Sequence, residues 1–293
     1  MDLQDLAAFI AVAESGSFSI AATQLHLTQP AISKRVASLE TQLDRKLFDR
    51  VARRVSLTEA GRTLLPHARA TLRTIEEGKR ALSQMEGRVA GRLSIGTSHH
   101  IGLHRLPPAL KRYTQRYPDV DLDIHFMDSE VACHEVLAGK LELAIVTLPL
   151  QPMPHLRTRL VWHDPLAVVV AADHPLLRIR KPGLADLAGH PAVLPDDSTY
   201  THRIIRAAMR DHGFEPHVRL ASNYMETLKM LVATGLGWSV LPASMVDRSL
   251  RTLRIPQLTL SRELGLAWHE RRELSTAAGA LMQELEREEV GAE

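Results

Sequence analysis

The sequence has little cysteine, no long apolar run and no basic leader, and each of these absences excludes a class of protein. A single cysteine, Cys133, excludes a disulfide within the chain, which favours a reducing compartment. Nowhere do about 18 apolar residues follow one another, so we expect no membrane span and no membrane partner. The N-terminus carries Asp2, Asp5 and Glu14 instead of a basic start before an apolar run, which argues against a secretory signal. We therefore expect a cytoplasmic protein.

Signatures of common enzymes and metal sites are also missing. The sequence has no glycine-rich phosphate loop and no G-x-S-x-G elbow, and His134-Glu135 lacks the second histidine of H-E-x-x-H. His99, His100 and His104 lie close together in sequence, but no nearby cysteine or acidic residue completes a set of metal ligands. We expect no catalytic site, no metal and no bound cofactor.

Length and charge indicate more than one domain and a local anionic partner. The chain has 293 residues, of which 45% are hydrophobic, so it can bury more than one core. Its net charge is only +2, but the segment 34–54 has seven basic and three acidic residues, a balance of 7 − 3 = +4 over 21 residues. A local basic patch of this kind is typical of contact with nucleic-acid phosphates.

The segment 17–43 predicts two short helices joined by a corner. Ser17 is placed to cap the first helix, and Thr28 is placed to cap the second. Pro30 falls in the first turn of the second helix, where its missing N–H costs nothing. This arrangement is typical of a helix-turn-helix.

The second of these helices has one apolar and one polar face. Its apolar residues recur at steps of 4, 3 and 4, and they are Ile32, Val36, Leu39 and Leu43. The other face offers Gln29, Ser33 and Lys34 near the N-terminus, where they can reach base edges in a major groove. By itself the segment fits an ordinary helical hairpin with a solvated polar face equally well.

Two features after this segment favour DNA binding. The segment 47–57 alternates like a short strand pair, and it predicts a β-wing whose Arg50, Arg53 and Arg54 face the DNA backbone. The alternative is a solvated basic loop. A long helix is then predicted over 58–86, with an apolar stripe at positions 61, 65, 68, 72, 75, 79 and 82.

The stripe on the long helix favours dimerisation, because a DNA-reading helix is usually doubled to read two half-sites. Five of its seven positions are apolar. A helix that packs only on its own domain is the alternative. Pro66 lies too deep in the helix to be neutral, and it predicts a kink or a late start near that residue.

From Gly91 onward the pattern changes to strands that alternate with helices. A βαβαβ order predicts an open, mostly parallel sheet, and a second set of elements predicts a second α/β lobe. The last segment is expected to return to the first lobe. The predicted strands are 93–96, 120–126, 141–146, 166–171, 192–194, 217–221, 237–241 and 264–268. The predicted helices are 102–116, 130–138, 184–188, 200–212, 225–235, 242–249 and 274–289.

Hydroxyl-bearing residues follow the carboxyl ends of the predicted strands. Open α/β sheets bind ligands at these ends, where helix N-termini point their N–H groups. The candidate ligand-binding residues are Thr97, Ser98, His99, Ser129, Thr147, Ser198, Thr199, Thr201 and Asn223. They include no certain catalytic base, which favours reversible binding of a small, anionic metabolite. Plain helix capping is the alternative for each single hydroxyl.

Motifs along nearly the whole chain resemble those of the LysR-type transcriptional regulators. In the N-terminal part they are Phe9-Ile-Ala-Val-Ala-Glu-Ser-Gly-Ser-Phe, Leu27-Thr-Gln-Pro-Ala-Ile-Ser, Leu47-Phe-Asp-Arg and Leu57-Thr-Glu-Ala-Gly. In the C-terminal part they are Leu137-Ala-Gly-Lys-Leu-Glu-Leu-Ala-Ile, Asp173-His-Pro-Leu and Leu231-Val-Ala-Thr-Gly-Leu-Gly-Trp-Ser-Val-Leu-Pro. Glu142 stands where the family usually has Asp.

The resemblance implies a multi-domain fold that combines α and α/β parts. It implies a winged helix-turn-helix, a dimerising linker helix, and a two-lobed α/β effector domain resembling periplasmic binding proteins. On this sequence the expected ranges are 1–57, 58–90 and 91–293. The expected lobe I comprises 91–163 and 264–293, and the expected lobe II comprises 164–263.

The resemblance also implies partners and roles. Double-stranded promoter DNA would be read by Gln29, Pro30, Ser33 and Lys34. A homodimer through the linker helix that pairs into a homotetramer is expected, and RNA polymerase is a further partner of such regulators. A small effector, which no motif identifies, would bind the cleft and control DNA binding or bending. The alternatives are an α/β enzyme or a small-molecule binding protein that uses the same cleft; a helical N-terminal third argues against a periplasmic solute-binding protein.

Overall fold

The computed structural model describes residues 2–51, 54–85 and 88–290. The chain divides into two compact units, Met1–Glu86 (unit 1) and Gly87–Glu293 (unit 2). Each unit has hydrophobic cores of its own. Over the described residues, no helix combines the length and the apolar character that crossing a membrane requires.

Unit 1 is a helical domain with a two-stranded hairpin and a long final helix. Its elements are α1 (Leu3–Ser15), α2 (Phe18–Gln24), α3 (Gln29–Leu43), β1 (Phe48–Val51), β2 (Arg54–Leu57) and α4 (Glu59–Met85). Phe48 lies at the centre of the core, with its ring centroid 5.5 Å from that of Phe9 and 5.8 Å from that of Phe18. The winged helix-turn-helix prediction is confirmed, since β1 and β2 follow the three helices in the chain and pair as an antiparallel wing.

Capping side chains begin both helices of the helix-turn-helix, as the sequence predicts. The Ser17 hydroxyl accepts from the N–H of Ile20 at 3.3 Å. The Thr28 hydroxyl accepts from the N–H of Ala31 at 3.4 Å, and Pro30 occupies the first turn. Each cap satisfies an N–H that the helix itself leaves without an acceptor.

The first half of the stripe on α4 packs inside unit 1. Ala68 is buried in the core of this unit, and Leu65 and Leu72 pack against the same cluster. Gly61 lies so close to the preceding chain that a Cβ there would be 2.2 Å from the carbonyl oxygen of Leu47. These positions therefore stabilise the domain to which the helix belongs.

The second half of α4 continues beyond this core. Pro66 lies inside the helix, which runs on as a single element to Met85. Ile75 is partly buried. The side chains of the later stripe positions, Lys79 and Leu82, lie outside the described residues.

Unit 2 contains nine strands and seven α-helices within the residues described. Its strands are β3 (Gly91–Thr97), β4 (Val120–Phe126), β5 (Leu143–Thr147), β6 (Leu156–Ala171), β7 (Ala192–Leu194), β8 (Val218–Ala221), β9 (Ser239–Pro242), β10 (Leu250–Leu253) and β11 (Leu260–His269). Its helices are α5 (His99–His104), α6 (Leu106–Arg116), α7 (Ser129–Ala138), α8 (Leu184–Ala188), α9 (Tyr200–Arg210), α10 (Met225–Ala233) and α11 (Thr276–Val290). Two 3₁₀ turns, Pro175–Arg178 and Ala243–Met245, complete the unit.

Two long strands join two lobes in unit 2. The main sheet has the order β10-β6-β11-β5-β3-β4, with β9 also on β6, and β7 and β8 form a small parallel pair. Lobe I is built from β3, β4 and β5 with α5, α6, α7 and α11, and lobe II from β7 to β10 with α8, α9 and α10. Both β6 and β11 run through the two lobes, so Trp162 of β6 lies in a lobe I core and Val168 in a lobe II core.

The prediction of a mostly parallel sheet is wrong. β3 pairs in parallel with β4 and β5, but every pair made by β6 and β11 is antiparallel. The sequence hides the length of β6 because Pro165 lies within it, opposite Ser261. A proline lacks the N–H that a strand interior needs, so strand assignment from sequence naturally begins after it.

Two predicted helices also differ from the structure. The predicted helix 102–116 is two helices, α5 and α6, because the second begins with proline in its first turn. The predicted helix 242–249 is a 3₁₀ turn followed by β10. Beyond the turn, the Asp247 carboxylate accepts the N–H of Ser249 at 2.9 Å, and this local bond competes with helix formation.

Candidate functional site

Unit 1 presents the polar face of α3 to solvent. Gln29, Pro30 and Lys34 are exposed and Ser33 is partly buried. The Gln29 side-chain amide donates to the Ser33 hydroxyl at 3.1 Å, so these two predicted base-reading groups lie next to each other. The predicted apolar stripe is buried at Ile32, Val36 and Leu39, whereas its last residue, Leu43, is exposed at the end of the helix. This face combines hydrogen-bond donors, acceptors and one cation at the N-terminal end of the helix, which suits readout in a major groove.

The wing places two predicted phosphate contacts on paired strands. Arg50 lies opposite Val55, and Arg54 lies opposite Val51. The side chains of Arg50 and Arg54 lie outside the described residues, as does the whole of Arg53.

A buried carboxylate fixes the wing to α3. Glu40 accepts from the Lys46 ammonium at 2.8 Å, from the Leu47 N–H at 2.8 Å and from the Phe48 N–H at 3.4 Å. Its burial opposes ionisation, but these three hydrogen bonds outweigh it and lower the pKa of Glu40 below its ordinary value. The contacts join the C-terminal part of α3 to β1.

Unit 2 contains a cleft between its two lobes. The space in and around the cleft, part of which is open solvent, has a volume of about 410 Å³. Polar side chains from both lobes predominate among the residues that line it. They are Ser98, His100, Asp128, Ser129, Glu130, Thr147, Pro195, Thr199, Thr201, Asn223, Met225 and Arg262.

Six of the predicted ligand-binding residues line this cleft. They are Ser98, Ser129, Thr147, Thr199, Thr201 and Asn223. Thr97 is fully buried beside it, and its hydroxyl donates to the carbonyl oxygen of Ile145 at 2.8 Å. His99 packs its ring against Tyr224 instead, with the centroids 4.7 Å apart. Ser198 is exposed and donates to Asp196 at 2.7 Å.

Two of the hydroxyls that line the cleft accept hydrogen bonds from the backbone, whereas a third, at the start of α5, makes no capping bond. Ser129 accepts from the N–H of Thr147 at 3.0 Å, and Thr199 caps α9 by accepting from the N–H of His202 at 3.2 Å. Ser98 precedes α5 as its N-cap residue but makes no side-chain capping bond. Helix capping therefore accounts for Thr199 and leaves Ser98 available to a ligand.

A buried ion pair forms part of the cleft lining where β6 and β11 cross from lobe to lobe. Asp164 and Arg262 are direct cross-strand neighbours, and the Arg262 Nε donates to Asp164 at 2.8 Å. The second carboxylate oxygen of Asp164 accepts from Arg105 at 3.1 Å. The Arg262 Nη1 donates to the Thr201 hydroxyl at 3.1 Å. The guanidinium is thereby held rigidly against the cleft.

Polar atoms without partners concentrate at this same place. Among the described residues, the Arg262 Nη2 and both ring nitrogens of His100 are buried and have no hydrogen-bond partner. Burial, followed by the positive charge of Arg262, lowers the pKa of His100 to about 4, so its imidazole is neutral at pH 7. A buried polar group without a partner costs free energy, which a ligand with complementary atoms would recover.

Direct hydrogen bonds connect the two walls of the cleft. The Asn223 amide of lobe II donates to Asp128 of lobe I at 2.7 Å. The N–H of Tyr200, at the start of α9, donates to Glu130, and burial raises the pKa of this carboxyl. These contacts hold the lobes together around the cleft.

Sequence reasoning missed Arg262, although the pattern around it contains a signal. Leu260, Arg262 and Leu264 share one alternating register on β11, and all three are buried. A charge on the apolar face of a strand requires a buried partner. That partner, Asp164, is 98 residues away in the sequence, so only the strand pairing reveals it.

Two family profiles match the chain. "Bacterial regulatory helix-turn-helix protein, lysR family" matches residues 3–62. "LysR substrate binding domain" matches residues 86–289 and therefore covers most of unit 2.

Individual proteins give the same result. An uncharacterised HTH-type transcriptional regulator from the ibpB-leuC intergenic region of Azotobacter vinelandii is 64% identical over 108 residues, which are 37% of this chain and 75% of that protein. The uncharacterised HTH-type transcriptional regulator YwqM of Bacillus subtilis is 28% identical over 287 residues, 96% of this chain and 97% of YwqM. The structure of full-length CbnR with its target DNA is similar in fold, with a TM-score of 0.68, 22% identity and coverage of 98% and 99% of the two chains.

Proposed function

The chain belongs to the lysR family of bacterial helix-turn-helix regulators, and from this premise we propose that a small anion in the cleft of unit 2 controls its hold on promoter DNA. The protein is a transcriptional regulator with a DNA-binding unit and an effector-binding unit. The proposal concerns the residues that act in each unit and the chemistry of the effector. Because promoter DNA is its partner, we place its action in the cytoplasm.

We assign base reading to the exposed end of α3. Gln29 and Ser33 are bonded to each other and can exchange that bond for bonds to a base, while Pro30 offers an apolar contact to a thymine methyl. Lys34 adds a cation on the same face. The wing arginines Arg50, Arg53 and Arg54 contribute affinity through phosphates, which is independent of sequence.

We assign dimerisation to the later part of α4. The first four positions of the stripe already pack inside unit 1, so the dimer contact begins after them. These positions are Gly61, Leu65, Ala68 and Leu72. A helix of 27 residues extends for roughly 40 Å, which leaves several turns for a partner helix. Two such dimers pair into a homotetramer in this proposal, and RNA polymerase is the further partner through which the regulator acts.

The buried Arg262 is the observation that supports an anionic effector. Arg262 lines the cleft and its buried Nη2 has no hydrogen-bond partner among the described residues, and Ser98 and Thr147 line the same space. A carboxylate would accept from the guanidinium and from these hydroxyls, and bonds to a charged donor are among the stronger hydrogen bonds. The single negative charge of Asp164 is shared between Arg262 and Arg105, so it does not neutralise Arg262 alone.

We infer that the effector is bound and released unchanged. The cleft carboxylates that could act as a base, Asp128 and Glu130, already accept hydrogen bonds from Asn223 and Tyr200 in the opposite lobe. They serve to connect the lobes. An enzyme using this cleft would convert a cleft ligand in a steady-state assay, and we expect no turnover.

Thermal-shift titration of the full-length protein with small mono- and dicarboxylates tests the anion site. Binding to the folded state raises Tm with ligand concentration. We expect a carboxylate to stabilise the wild type, and Arg262→Lys to weaken that effect by more than about tenfold, because lysine keeps the charge opposite Asp164 but loses the planar fork of donors.

Arg92→Lys is the matched control, because Arg92 forms an exposed ion pair with Asp123 at 2.8 Å in the same unit. It should respond like the wild type. Equal carboxylate responses in wild type and Arg262→Lys, or a selective response to neutral compounds, would contradict the anion site.

A further inference from the structure

Three potential metal ligands meet at the edge of the cleft. His100, His104 and Glu226 each offer one ligand atom, and these atoms all lie within 4.8 Å of one another. The His104 Nε2 is 2.9 Å from a carboxylate oxygen of Glu226. The rings of His100 and His104, one helical turn apart on α5, have centroids 4.9 Å apart.

We propose that His100, His104 and Glu226 bind a zinc-type divalent metal ion that ties lobe I to lobe II. The two histidines belong to α5 of lobe I, and Glu226 lies in the first turn of α10 in lobe II. An ion bound by all three residues would therefore link the two lobes. The three ligands do not include Arg262, the residue that supports the anion site, although His100 also lines the cleft.

The donor set selects the class of metal. Two imidazoles and one carboxylate are the ligands of three-residue zinc sites, which leave a fourth position to water or another small ligand. Hard ions such as Mg²⁺ and Ca²⁺ prefer oxygen donors throughout, so they fit poorly here. A tetrahedral ion with bonds of about 2.0–2.1 Å holds its donors roughly 3.4 Å apart, and side-chain rotations of the exposed His104 and Glu226 supply the difference.

The buried histidine provides a second observation at this site. His100 is only 3% exposed, and neither of its ring nitrogens has a hydrogen-bond partner in the described part of the chain. Either ring nitrogen of this buried imidazole is therefore free to bind a metal ion. The two cations nearby, Arg105 and Arg262, both bond the Asp164 carboxylate, and Glu226 supplies a second negative charge within the site itself.

The sequence conceals the third ligand. The spacing of His100 and His104 is that of two ligands on one helix face, but no acidic residue lies near them in the chain. Glu226 follows His104 by 122 residues and reaches it only because lobe II folds against lobe I. The sequence-based expectation of no metal considers only ligands near in the chain, and Glu226 is not among them.

Equilibrium dialysis of the metal-free full-length protein against Zn²⁺ tests the proposal, with Co²⁺ absorption as a report on coordination. We expect one ion per chain and the visible bands of tetrahedral Co²⁺. His104→Gln and Glu226→Gln should each weaken binding by more than about tenfold. Both side chains are about half exposed, at 45% and 41%, so the variants retain the fold.

His155→Gln is the matched control, because His155 also bonds a surface carboxylate, Glu270 at 2.6 Å, but outside this trio. It should bind Zn²⁺ like the wild type. Three results would overturn the proposal. The first is no Zn²⁺ binding by the wild type. The second is equal binding by all variants, which indicates adventitious surface binding. The third is loss of binding in His104→Gln without loss in Glu226→Gln, which indicates a histidine pair within one lobe.

Discussion

Hydrogen bonds within unit 1 lower the pKa of the Glu40 carboxyl, although its burial favours the neutral form. Replacing it by Gln leaves the N–H groups of Leu47 and Phe48 with a weaker acceptor, and it leaves Lys46 without its partner. We expect Glu40→Gln to lower the free energy of unfolding of unit 1 by about 1–3 kcal/mol at pH 7. Glu14→Gln breaks a more exposed ion pair with Arg69, and it should cost less than about 1 kcal/mol.

The pH dependence has a definite sign. The folded-state pKa of Glu40 lies below its ordinary value of 4.5, so its stabilising contribution is present above that pH and is lost as the pH falls. The difference between wild type and Glu40→Gln should therefore shrink in acid. Urea denaturation followed by circular dichroism measures it, and a difference that grows towards pH 4 would contradict the assignment. Tryptophan fluorescence separately reports unit 2, since it holds Trp162, Trp238 and Trp268.

Single residues also show what sequence rules can and cannot predict about a site. The strand-end rule places Thr97 and Ser98 at the cleft, but only Ser98 lines it. Thr97 is the last residue of β3, and its hydroxyl turns to the carbonyl of Ile145 on β5, its partner in the parallel register. The rule predicts which end of the sheet binds ligand, whereas the direction of each side chain depends on the neighbouring strand.

At the scale of elements, Gly61 explains why α4 can lie against the start of the wing. Any Cβ at this position would lie 2.2 Å from the Leu47 carbonyl oxygen, and backbone must move to admit it. We expect Gly61→Ala to destabilise unit 1 by about 1–3 kcal/mol despite the better helix propensity of alanine. Gly78→Ala in the same helix is the control, since open space surrounds its Cβ position, and it should be neutral or slightly stabilising.

Thermal unfolding by circular dichroism measures both glycine variants. If Gly61→Ala were as stable as Gly78→Ala, the close packing of α4 against residue 47 would be refuted.

The exposed end of α3 should determine which DNA the protein selects. We expect Gln29→Ala with Ser33→Ala to reduce affinity for an operator selected from random DNA by at least roughly a hundredfold, since good base contacts contribute about 1–3 kcal/mol each. Binding to unrelated DNA should change little, because phosphate contacts dominate it. Gel-shift titrations measure both affinities, and size-exclusion chromatography should show an unchanged assembly.

Thr41→Ala is the control for this prediction, because Thr41 is exposed at the other end of α3 and its hydroxyl bonds only the carbonyl of Ala37 among the described residues. It should keep operator selection. Undiminished selection by the double variant would remove Gln29 and Ser33 from the base-reading surface.

Elements with local signals could be predicted from the sequence, and elements that depend on distant pairing could not. The caps at Ser17 and Thr28 and the buried stripe of α3 are local patterns, and the structure contains them. The N-terminal half of β6 was missed because Pro165 interrupts the pattern, and its antiparallel pairing with β11 joins residues about a hundred positions apart. Strand direction in this sheet is thus a property of long-range pairing.

At the scale of the whole molecule, the effector unit depends on contacts between distant parts of the chain. Arg262 meets Asp164, Asn223 meets Asp128, and Glu226 meets His104. Each pair joins segments about 95 to 122 residues apart, and the last two pairs join lobe I to lobe II. A ligand that exchanges partners with any of these groups changes how the lobes are held, which is the physical basis for control by an effector.

This coupling has a thermodynamic requirement. An effector can shift the DNA-binding equilibrium only by as much as its affinity differs between the two states of the protein. Asp164 lies on β6 and Arg262 on β11, the strands that both lobes share, so an anion bound there contacts strands that run through both lobes.

The most direct test is the operator affinity of the full-length protein, measured by gel shift with and without the carboxylate that most stabilises it. We predict that this carboxylate changes the affinity or the pattern of the wild-type complexes. Arg262→Lys should bind the operator as the wild type does without ligand, and should lose the response over the same concentrations. A wild-type complex that is indifferent to the carboxylate, or an Arg262→Lys variant that responds like the wild type, would contradict control by an anion at Arg262.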